Sequence, residues 1–364
     1  MNKFFLVLAL LAGFCSSVNA AENIAEEILN QDKETRTVTP QMVSLLREVI
    51  EDASKKIEQL QRPPKNTLDI HYVTNVFKCI DDTLIAHGFV YPDDGLVSLL
   101  ADGLTPFQMA TNRLRSFEAS AHNHRRRDMI AARFPGPFYA VDCDTASFIY
   151  LGVGEQLKLP IHLIEIPGRL GYPGHNFVRW REGADYVNWE TMDGKVESDK
   201  AYRAEFEIPA AEIEAGSAMT DMTREQVLGY EQVLLAIEYE ARGQFETALK
   251  KMDQALALYP ANLLARNNFA WDTAVGQGVT VRDYSKAIMH ADFVLNVVDD
   301  PDVRDTLAAA YASAGFFNLA VAEEQRAIKG HSSKEYQKRL ALYKKGQVYR
   351  QNKASDGPVG EFKP

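Results

Sequence analysis

The sequence predicts an α+β fold in its N-terminal part and an all-α fold after that, and three observations support this prediction. Apolar residues between Asp144 and Lys158 recur at intervals of three and four, which is the helical period. Short segments rich in β-branched and aromatic residues follow at 161–166, 176–180 and 186–189. The C-terminal part repeats small residues at a regular spacing, which is typical of stacked helices.

Residues 1–20 are predicted to be a secretory signal peptide that is not part of the fold. Lys3 gives the segment its positive start, Phe4–Phe14 is apolar, and Val18–Ala20 is a small-residue cleavage site. No other apolar run approaches the length of a membrane span, so no integral membrane segment is expected after cleavage. The mature protein is therefore expected to be periplasmic or secreted.

A lipoprotein anchored at Cys15 is the alternative to simple cleavage. It is less favoured, because the bulky Phe14 stands where a small residue is expected before such a cysteine. After the signal, residues 21–38 are polar and are expected to form a loose leader. The final residues, 351–364, are expected to be a flexible tail.

Helices are expected at the start of the mixed domain, which we place at 39–215. They are predicted over 39–61, 68–87, 96–100 and 105–119, from apolar periodicity and from proline or glycine near their ends. This helical part is expected to pack against the rest of the domain and to cover the helix that follows it.

The chain carries a net charge of −10. This acidity is unfavourable for binding nucleic acid or an anionic membrane, so neither is predicted as a partner. The basic run His124–Arg127 is too short to change this, and it is interpreted as a solvated helix face. His122 and His124 form an HxH pair, but no further ligand follows at metal spacing, so no metal site and no cofactor are predicted.

Two cysteines remain after signal cleavage, Cys79 and Cys143. In an oxidising compartment they could form a disulfide, which would block a reactive thiol. Cys79 lies among apolar residues at helical spacing, so burial as a free thiol is the simpler interpretation. We favour two free thiols and leave the disulfide open.

Cys143, His175 and Glu190 are the candidate catalytic residues. Cys143 falls in the first turn of the predicted helix, where unpaired backbone N–H groups and the helix dipole favour a thiolate. His175 begins a predicted strand after the glycine-rich loop 168–174. A single cysteine is most often a buried apolar residue, so the prediction rests on thiol, imidazole and carboxylate together.

The two strands after this loop are predicted to form a hairpin that places the histidine beside the acid. With Glu182-Gly183 as the turn, Val178 lies opposite Val187 and His175 lies directly opposite Glu190. Cross-strand neighbours have Cβ atoms about 4.5–5.5 Å apart and share one face of the sheet. The prediction depends on the turn assignment, because a slip of one residue would move the histidine to the other face.

The stretch Phe138–Gly194 resembles the transglutaminase-like superfamily. The shared features are a cysteine at a helix start, the step Leu159-Pro160-Ile161, and then a histidine and an acid in that order. The resemblance implies a papain-like core with Cys143 as nucleophile and His175 as general base and acid. Glu190 stands where the family usually has aspartate, which is shorter by one methylene.

The C-terminal part, placed at 223–348, contains units of about 34 residues. Thr223 with Gln226 makes a capping box at its start, and Ser332 with Glu335 starts the last helix. The units resemble the tetratricopeptide repeat, in which small residues let two helices approach closely. The matching positions are Leu235, Ala236, Tyr239, Gly243, Ala248 and Ala255 in the first unit, and Leu307, Ala308, Tyr311, Gly315, Ala320 and Ala327 in the last.

The resemblances imply an exported thiol enzyme that hydrolyses an amide bond in a protein or peptide, or transfers its acyl group. The repeats are expected to bind that protein or peptide, because stacked repeats form a concave groove. Bracing of the first domain and self-association stay open as other roles for them. The alternative is a non-enzymatic adaptor, in which the repeats bind a partner and the first domain keeps its shape without its chemistry.

Overall fold

The computed structural model describes residues 23–64, 67–92, 99–169 and 174–351. The signal peptide predicted at 1–20, Cys15 and the tail beyond Gln351 lie outside these residues. Parts of the predicted loop 168–174 and of the predicted helix 96–100 also lie outside them. No helix in the described ranges is long and apolar enough to cross a membrane.

Helices and strands together give the described residues an α+β fold. The helices are α1 (Ile24–Gln31), α2 (Pro40–Glu58), α3 (Ile70–His87), α4 (Leu100–Gly103), α5 (Leu114–Ala119), α6 (Arg127–Arg133), α7 (Cys143–Leu157), α8 (Asp199–Glu205), α9 (Ala210–Glu214), α10 (Arg224–Ala241), α11 (Phe245–Leu258), α12 (Leu263–Val275), α13 (Tyr284–Val297), α14 (Pro301–Ser313), α15 (Phe317–Gly330) and α16 (Lys334–Tyr343). The strands are β1 (Phe89–Val90), β2 (Tyr139–Ala140), β3 (Ile161–Ile166), β4 (His175–Glu182), β5 (Asp185–Glu190) and β6 (Lys195–Glu197).

An antiparallel sheet in the order β3-β4-β5-β6 lies at the centre of the mixed domain. Helix α7 packs against β3 and β4, and α1, α2 and α3 pack against α7. Close packing is possible because α7 contains Gly152, where a Cβ atom would come within 2.9 Å of the side chains of Ala25 and Ile50. The sheet and these helices therefore bury α7, which begins at Cys143.

The loose leader predicted at 21–38 is wrong, because α1 is a buried helix. Asn23 caps it, with the side-chain oxygen accepting from the Glu26 N–H at 3.0 Å. Ile24 and Ile28 lie one helical turn apart and are both buried in the main core. The apolar stripe of α1 is short, but it packs against α7, and this contact buries the helix.

The residues that follow α1 contact the C-terminal helices, which begin with α10 and which we call the helical part of the chain. We call residues 24–36 the N-terminal segment. The guanidinium of Arg36 lies 2.7 Å from the Glu238 carboxylate of α10, and the Lys251 ammonium of α11 lies 2.6 Å from Glu34. The N-terminal segment therefore connects the mixed domain to the first helices of the helical part.

Helices α2 and α3 confirm two of the predicted helices. Thr39 caps α2 as expected, and Gly88 ends α3 with a φ of 91°. The helix predicted over 105–119 forms only at its C-terminal end, as α5. Phe107 instead exchanges two backbone hydrogen bonds of 2.9 Å with Phe138, which holds this part of the chain beside the strand β2.

The basic run His124–Arg127 is not a solvated helix face, because Arg126 is fully buried. Its guanidinium donates to the Asp81 carboxylate at 2.5 Å and lies over the ring of Tyr91, 4.6 Å from the centroid. Asp81 is also buried, and it accepts a second hydrogen bond from Arg125. The run therefore connects α3 to the segment that precedes α6.

Replacing Arg126 with methionine is expected to lower the free energy of unfolding by about 3 kcal/mol, because it leaves the buried Asp81 carboxylate with one partner fewer. Urea denaturation followed by circular dichroism measures this change. Arg127→Met, which removes an exposed arginine from the same run, is the control and should change stability by no more than about 0.5 kcal/mol. Equal stability of the two variants would contradict a structural role for the buried pair.

The C-terminal part consists of consecutive helices that pack in pairs, α10 with α11, α12 with α13 and α14 with α15, while α16 packs on α15. Thr223 caps α10 in the predicted capping box with Gln226. The last helix is capped by Ser333 rather than by Ser332, one residue later than predicted. The alanines of the predicted repeat are fully buried, namely Ala236, Ala248, Ala255, Ala308, Ala320 and Ala327.

Several buried carboxyl groups in the chain lie against other carboxyl groups. Glu240 of α10 and Asp272 of α12 form one such pair, and burial raises the pKa of Glu240 to about 7. Burial also raises the pKa of Asp302 to about 7 and that of Asp32 to about 6. These groups therefore hold a proton in the folded protein at pH values where the unfolded chain has released it.

The free energy of unfolding is expected to fall as the pH rises from about 5 to 8, because a carboxyl with a raised pKa stabilises the fold only while it stays protonated. Urea midpoints measured across this range test the expectation. Glu240→Gln should flatten the dependence by about 1–3 kcal/mol, since the amide cannot ionise. Glu246→Gln, an exposed glutamate on α11, is the control. A midpoint that rises with pH in the unmodified protein would contradict the expectation.

Candidate active site

Cys143 is the first residue of α7, as the sequence predicts. The Asp142 carboxylate caps this helix by accepting from the Thr145 N–H at 2.9 Å, and the Thr145 hydroxyl accepts from the Asp142 N–H at 3.0 Å. This reciprocal cap fixes the backbone on both sides of the cysteine. The Cys143 thiol is half-buried and free.

The pKa of the Cys143 thiol is raised well above its ordinary value, first by burial and then by the charges of Asp144 and Asp142. The prediction that the helix start favours the thiolate is therefore wrong for the resting protein. A helix terminus stabilises a nearby anion by about 0.3–1 kcal/mol, which is small beside burial and two adjacent carboxylates. The thiol instead lies 3.6 Å from Oδ1 of Asp144, to which it donates.

Asp144 lies at a junction of three structural elements. Its carboxyl group accepts from the side-chain N–H of Asn176 on β4, and from the hydroxyl of Tyr230 on α10 at 3.3 Å. Burial raises the pKa of Asp144, and these hydrogen bonds oppose the rise. The network therefore connects the cysteine helix both to the sheet and to the helical part of the chain.

His175 and Glu190 form a hydrogen-bonded pair. Nε2 of His175 lies 2.7 Å from Oε2 of Glu190. The Tyr202 hydroxyl donates to the same carboxylate oxygen at 3.0 Å, and the Met192 N–H donates to the other oxygen at 3.0 Å. The ring of Phe206 stacks on the imidazole, with 5.3 Å between centroids. The histidine is therefore oriented from two sides.

The predicted hairpin register is wrong by two residues. Val178 pairs with Trp189 rather than with Val187, because the turn consists of Gly183-Ala184, with Gly183 at a φ of 63°. A shift of two residues keeps every side chain on its face of the sheet. The histidine and the glutamate are thus diagonal neighbours, about 7–8 Å apart at Cα, a distance within reach of long side chains. Here the extra methylene of glutamate helps the carboxylate to reach the imidazole.

The charges of this pair shift both pKa values. Burial alone would lower the pKa of His175, but the charge and the hydrogen bond of Glu190 raise it above its ordinary value. Burial alone would raise the pKa of Glu190, but the histidine lowers it. The imidazole therefore becomes neutral, and able to accept a proton, only as the pH rises through its raised pKa.

A cleft of about 440 Å³ reaches this site, and both Cys143 and His175 line it. Glu190, Tyr202 and Phe206 lie along the same wall. The remaining lining includes charged residues of both signs, among them Asp193, Lys195, Glu197 and Glu205. The structure thus places all three predicted residues at one opening, which is large enough for a substrate chain to reach the thiol.

The two histidines of the HxH motif have different hydrogen-bond partners. Nδ1 of His122 lies 2.8 Å from the Asp193 carboxylate, whereas Nδ1 of His124 faces the carbonyl of Ala121 at 2.9 Å. In the ranges that the structure describes, no group of three or more His, Cys, Asp or Glu side chains is arranged to hold a metal ion. Cys79, half-buried on α3, is a free thiol like Cys143.

Five residues of the site were not predicted from the sequence, and one of them is Asn176, which donates to Asp144 from β4. Asp144 adjoins the cysteine, and a second acid beside the capping Asp142 is a signal that could have been noticed. Tyr202 lies on α8 and Phe206 directly follows this helix, in a stretch where the sequence pattern predicts no functional residue. Tyr230 lies on α10, and its local sequence gives no sign that it contacts Asp144 of α7.

No protein-family model matches the chain, and no curated protein or solved structure matches it. The resemblance to the transglutaminase-like superfamily therefore rests on the residues around Cys143 and His175. The resemblance to tetratricopeptide repeats likewise rests on the spacing of small residues and on the paired helices.

Replacing Asp144 with asparagine is expected to speed the alkylation of Cys143 by iodoacetamide at pH 7 by about 3- to 10-fold, because removing an adjacent negative charge lowers the pKa of the thiol. The rate is followed by mass spectrometry of the intact protein, and the modified residue is identified in its tryptic peptide.

Glu205→Gln is the matched control, since it removes an exposed carboxylate from the same cleft without touching the thiol. Solvent screens that charge, so the control rate should stay within about twofold of the original. A slower or unchanged rate in Asp144→Asn would show that this carboxyl does not govern the thiol.

Proposed function

We propose that the chain is a thiol enzyme of the transglutaminase-like kind, which breaks an amide or ester bond through an acyl-enzyme on Cys143. The observation that carries the proposal is the 2.7 Å hydrogen bond between His175 and Glu190 in the cleft that also contains the Cys143 thiol. A base oriented by a carboxylate beside a nucleophile is the arrangement that cysteine hydrolases require.

The chemistry follows from which nitrogen of the histidine is free. Nε2 is engaged by Glu190, so Nδ1 is the nitrogen that accepts the thiol proton. The sulfur of Cys143 attacks the carbonyl carbon, and His175 returns the proton to the leaving amine or alcohol as the carbon–heteroatom bond breaks. Water then attacks the thioester and releases the acid, or an amine takes the acyl group instead.

The oxyanion of the tetrahedral intermediate needs backbone donors. The N–H of Cys143 belongs to the first turn of α7, where N–H groups have no partner within the helix. A negative charge that develops next to it is also favoured by the helix dipole. The helix start thus assists the transition state, although it does not ionise the resting thiol.

For the whole chain, the proposal includes export and the binding of a protein or peptide substrate by the C-terminal helices. Export rests on the signal-like residues 1–20, and the substrate is a protein or peptide bound with the help of paired helices that we assign to tetratricopeptide repeats. Hydrolysis is the default over acyl transfer, because water is abundant and nothing in the sequence specifies an amine acceptor.

A non-enzymatic adaptor is the second candidate, and two observations favour it. Burial raises the pKa of the Cys143 thiol, which is what an inert structural cysteine would show. The helical part also exposes large apolar side chains, namely Met289, Phe316 and Leu319, each about half exposed. A surface of this kind is suited to binding another protein.

Reaction with p-nitrophenyl acetate distinguishes the two candidates. An enzyme should release one equivalent of p-nitrophenolate in a burst, as acetyl transfers to Sγ of Cys143, and then turn over as water hydrolyses the thioester. Cys143→Ala should abolish the burst, and His175→Ala should slow it by about 10²-fold or more. Cys79→Ala is the matched control and should keep the full burst.

The pH dependence tests the role of Glu190 in the same assay. The burst rate should rise with pH through the raised pKa of His175, because only the neutral imidazole accepts the thiol proton. Glu190→Gln removes the charge that raises this pKa, so the midpoint should move to lower pH while the maximal rate falls. A burst that survives Cys143→Ala would refute the enzyme and leave the adaptor.

A further inference from the structure

A second, smaller cavity adjoins the candidate nucleophile. Its volume is about 40 Å³, and it shares Cys143, Gly174 and His175 with the large cleft. A cavity needs about 10–15 Å³ to hold a water molecule, so this one is large enough for at least one small group. A group that occupied it would lie directly beside the thiol.

The helical part of the chain supplies one wall of this cavity. Leu234 and Ile237 of α10 and Leu264 of α12 line it together with Ile166 of β3. Leu234 and Ile166 are buried, whereas Ile237 and Leu264 are half-buried. Side chains of the predicted repeats therefore form part of the wall of a cavity next to Cys143.

The two acidic groups that line the cavity, Asp144 and Glu165, are hydrogen-bonded to neighbouring side chains. The Tyr230 hydroxyl donates to Asp144, and the Asn262 side-chain N–H lies 3.4 Å from both carboxyl oxygens of Glu165. Burial raises the pKa of Glu165 to about 8, so this group is neutral at neutral pH. Asp144, the other carboxyl group in the lining, already accepts from Asn176 and Tyr230. The cavity thus offers mainly apolar contact, and its volume of about 40 Å³ is too small for a lysine side chain.

We infer that this cavity is the acyl side-chain pocket of the proposed enzyme, and that it accepts a substrate with a short aliphatic side chain such as that of alanine or valine. The inference rests on the proposed function. The acyl group stays bonded to Sγ until water attacks, whereas the amine departs first. The small pocket therefore suits the side chain of the acyl group, which stays on the enzyme, and the 440 Å³ cleft suits the departing amine.

The test uses p-nitrophenyl esters of N-acetylated alanine, valine, phenylalanine and lysine with the full-length mature chain. The acylation rates, measured from the burst phase, should be about tenfold or more higher for alanine and valine than for phenylalanine and lysine. Ile237→Ala enlarges the pocket and should raise the phenylalanine-to-alanine ratio of rates by about tenfold. Leu264→Phe fills it and should slow the alanine and valine esters.

Ile288→Ala is the matched control, because Ile288 is also a half-buried isoleucine of the helical part but lies on α13, away from the pocket. It should leave the ratio unchanged. Thermal melts verify that each variant is folded, and Leu264→Ala replaces Ile237→Ala if the latter unfolds.

The outcomes separate the inference from the function. A Cys143-dependent burst with p-nitrophenyl acetate, combined with a rate ratio that Ile237→Ala and Leu264→Phe do not move, would overturn the pocket and leave the enzyme. Absence of any Cys143-dependent burst would overturn both. A burst whose side-chain preference follows the pocket variants would support both.

Discussion

Hydrogen bonds to one buried carboxyl group, that of Asp144, join the three parts of the molecule that form the candidate site. Asn176 reaches it from the sheet, Tyr230 reaches it from α10, and the carboxyl itself stands on the helix that begins at Cys143. Removing a partner from such a buried network leaves a polar group unsatisfied, which costs about 1–3 kcal/mol. This contact therefore helps to hold α10 beside the thiol, and with it one wall of the small cavity that α10 lines.

The same carboxyl contributes, after burial, to the resting protonation state of the candidate nucleophile. Burial and the neighbouring acids keep Cys143 as a thiol, and a thiol reacts with oxidants and disulfides far more slowly than a thiolate. Under the proposed function, this protonation protects the sulfur until a substrate and a neutral His175 are both present. A protected thiol is consistent with the free state of Cys79 and Cys143.

Local patterns in the sequence predict the local structure well. The helix from Cys143, the strand Ile161–Ile166 and the cap at Thr223 all lie where spacing and capping residues place them. The His175–Glu190 contact was expected from a register that is wrong by two residues. It survives because the side-chain period of a strand is two, so that an even shift preserves the face.

Contacts between distant segments are what the sequence does not reveal. In the sequence Arg126 resembles a surface arginine, but in the fold it forms a buried ion pair with Asp81 of α3. Tyr230 resembles an ordinary residue of the predicted repeats, but its hydroxyl donates to Asp144 of α7. The thiol was expected to ionise from its place at a helix start, but its environment is set by burial that only the assembled fold creates. Local spacing carries no information on such tertiary neighbours.

The N-terminal segment has a consequence for the order in which the chain assembles during synthesis. Its residue Arg36 binds Glu238, 202 positions later, and Glu34 binds Lys251, 217 positions later. Closing loops of this length is entropically unfavourable and slows folding. At a translation rate of 5–20 residues per second, the segment leaves the ribosome about 10–40 s before α10 and α11 exist. During that interval its polar residues have neither α10 nor α11 to bind, so the contacts between the N-terminal segment and these two helices are among the last to form.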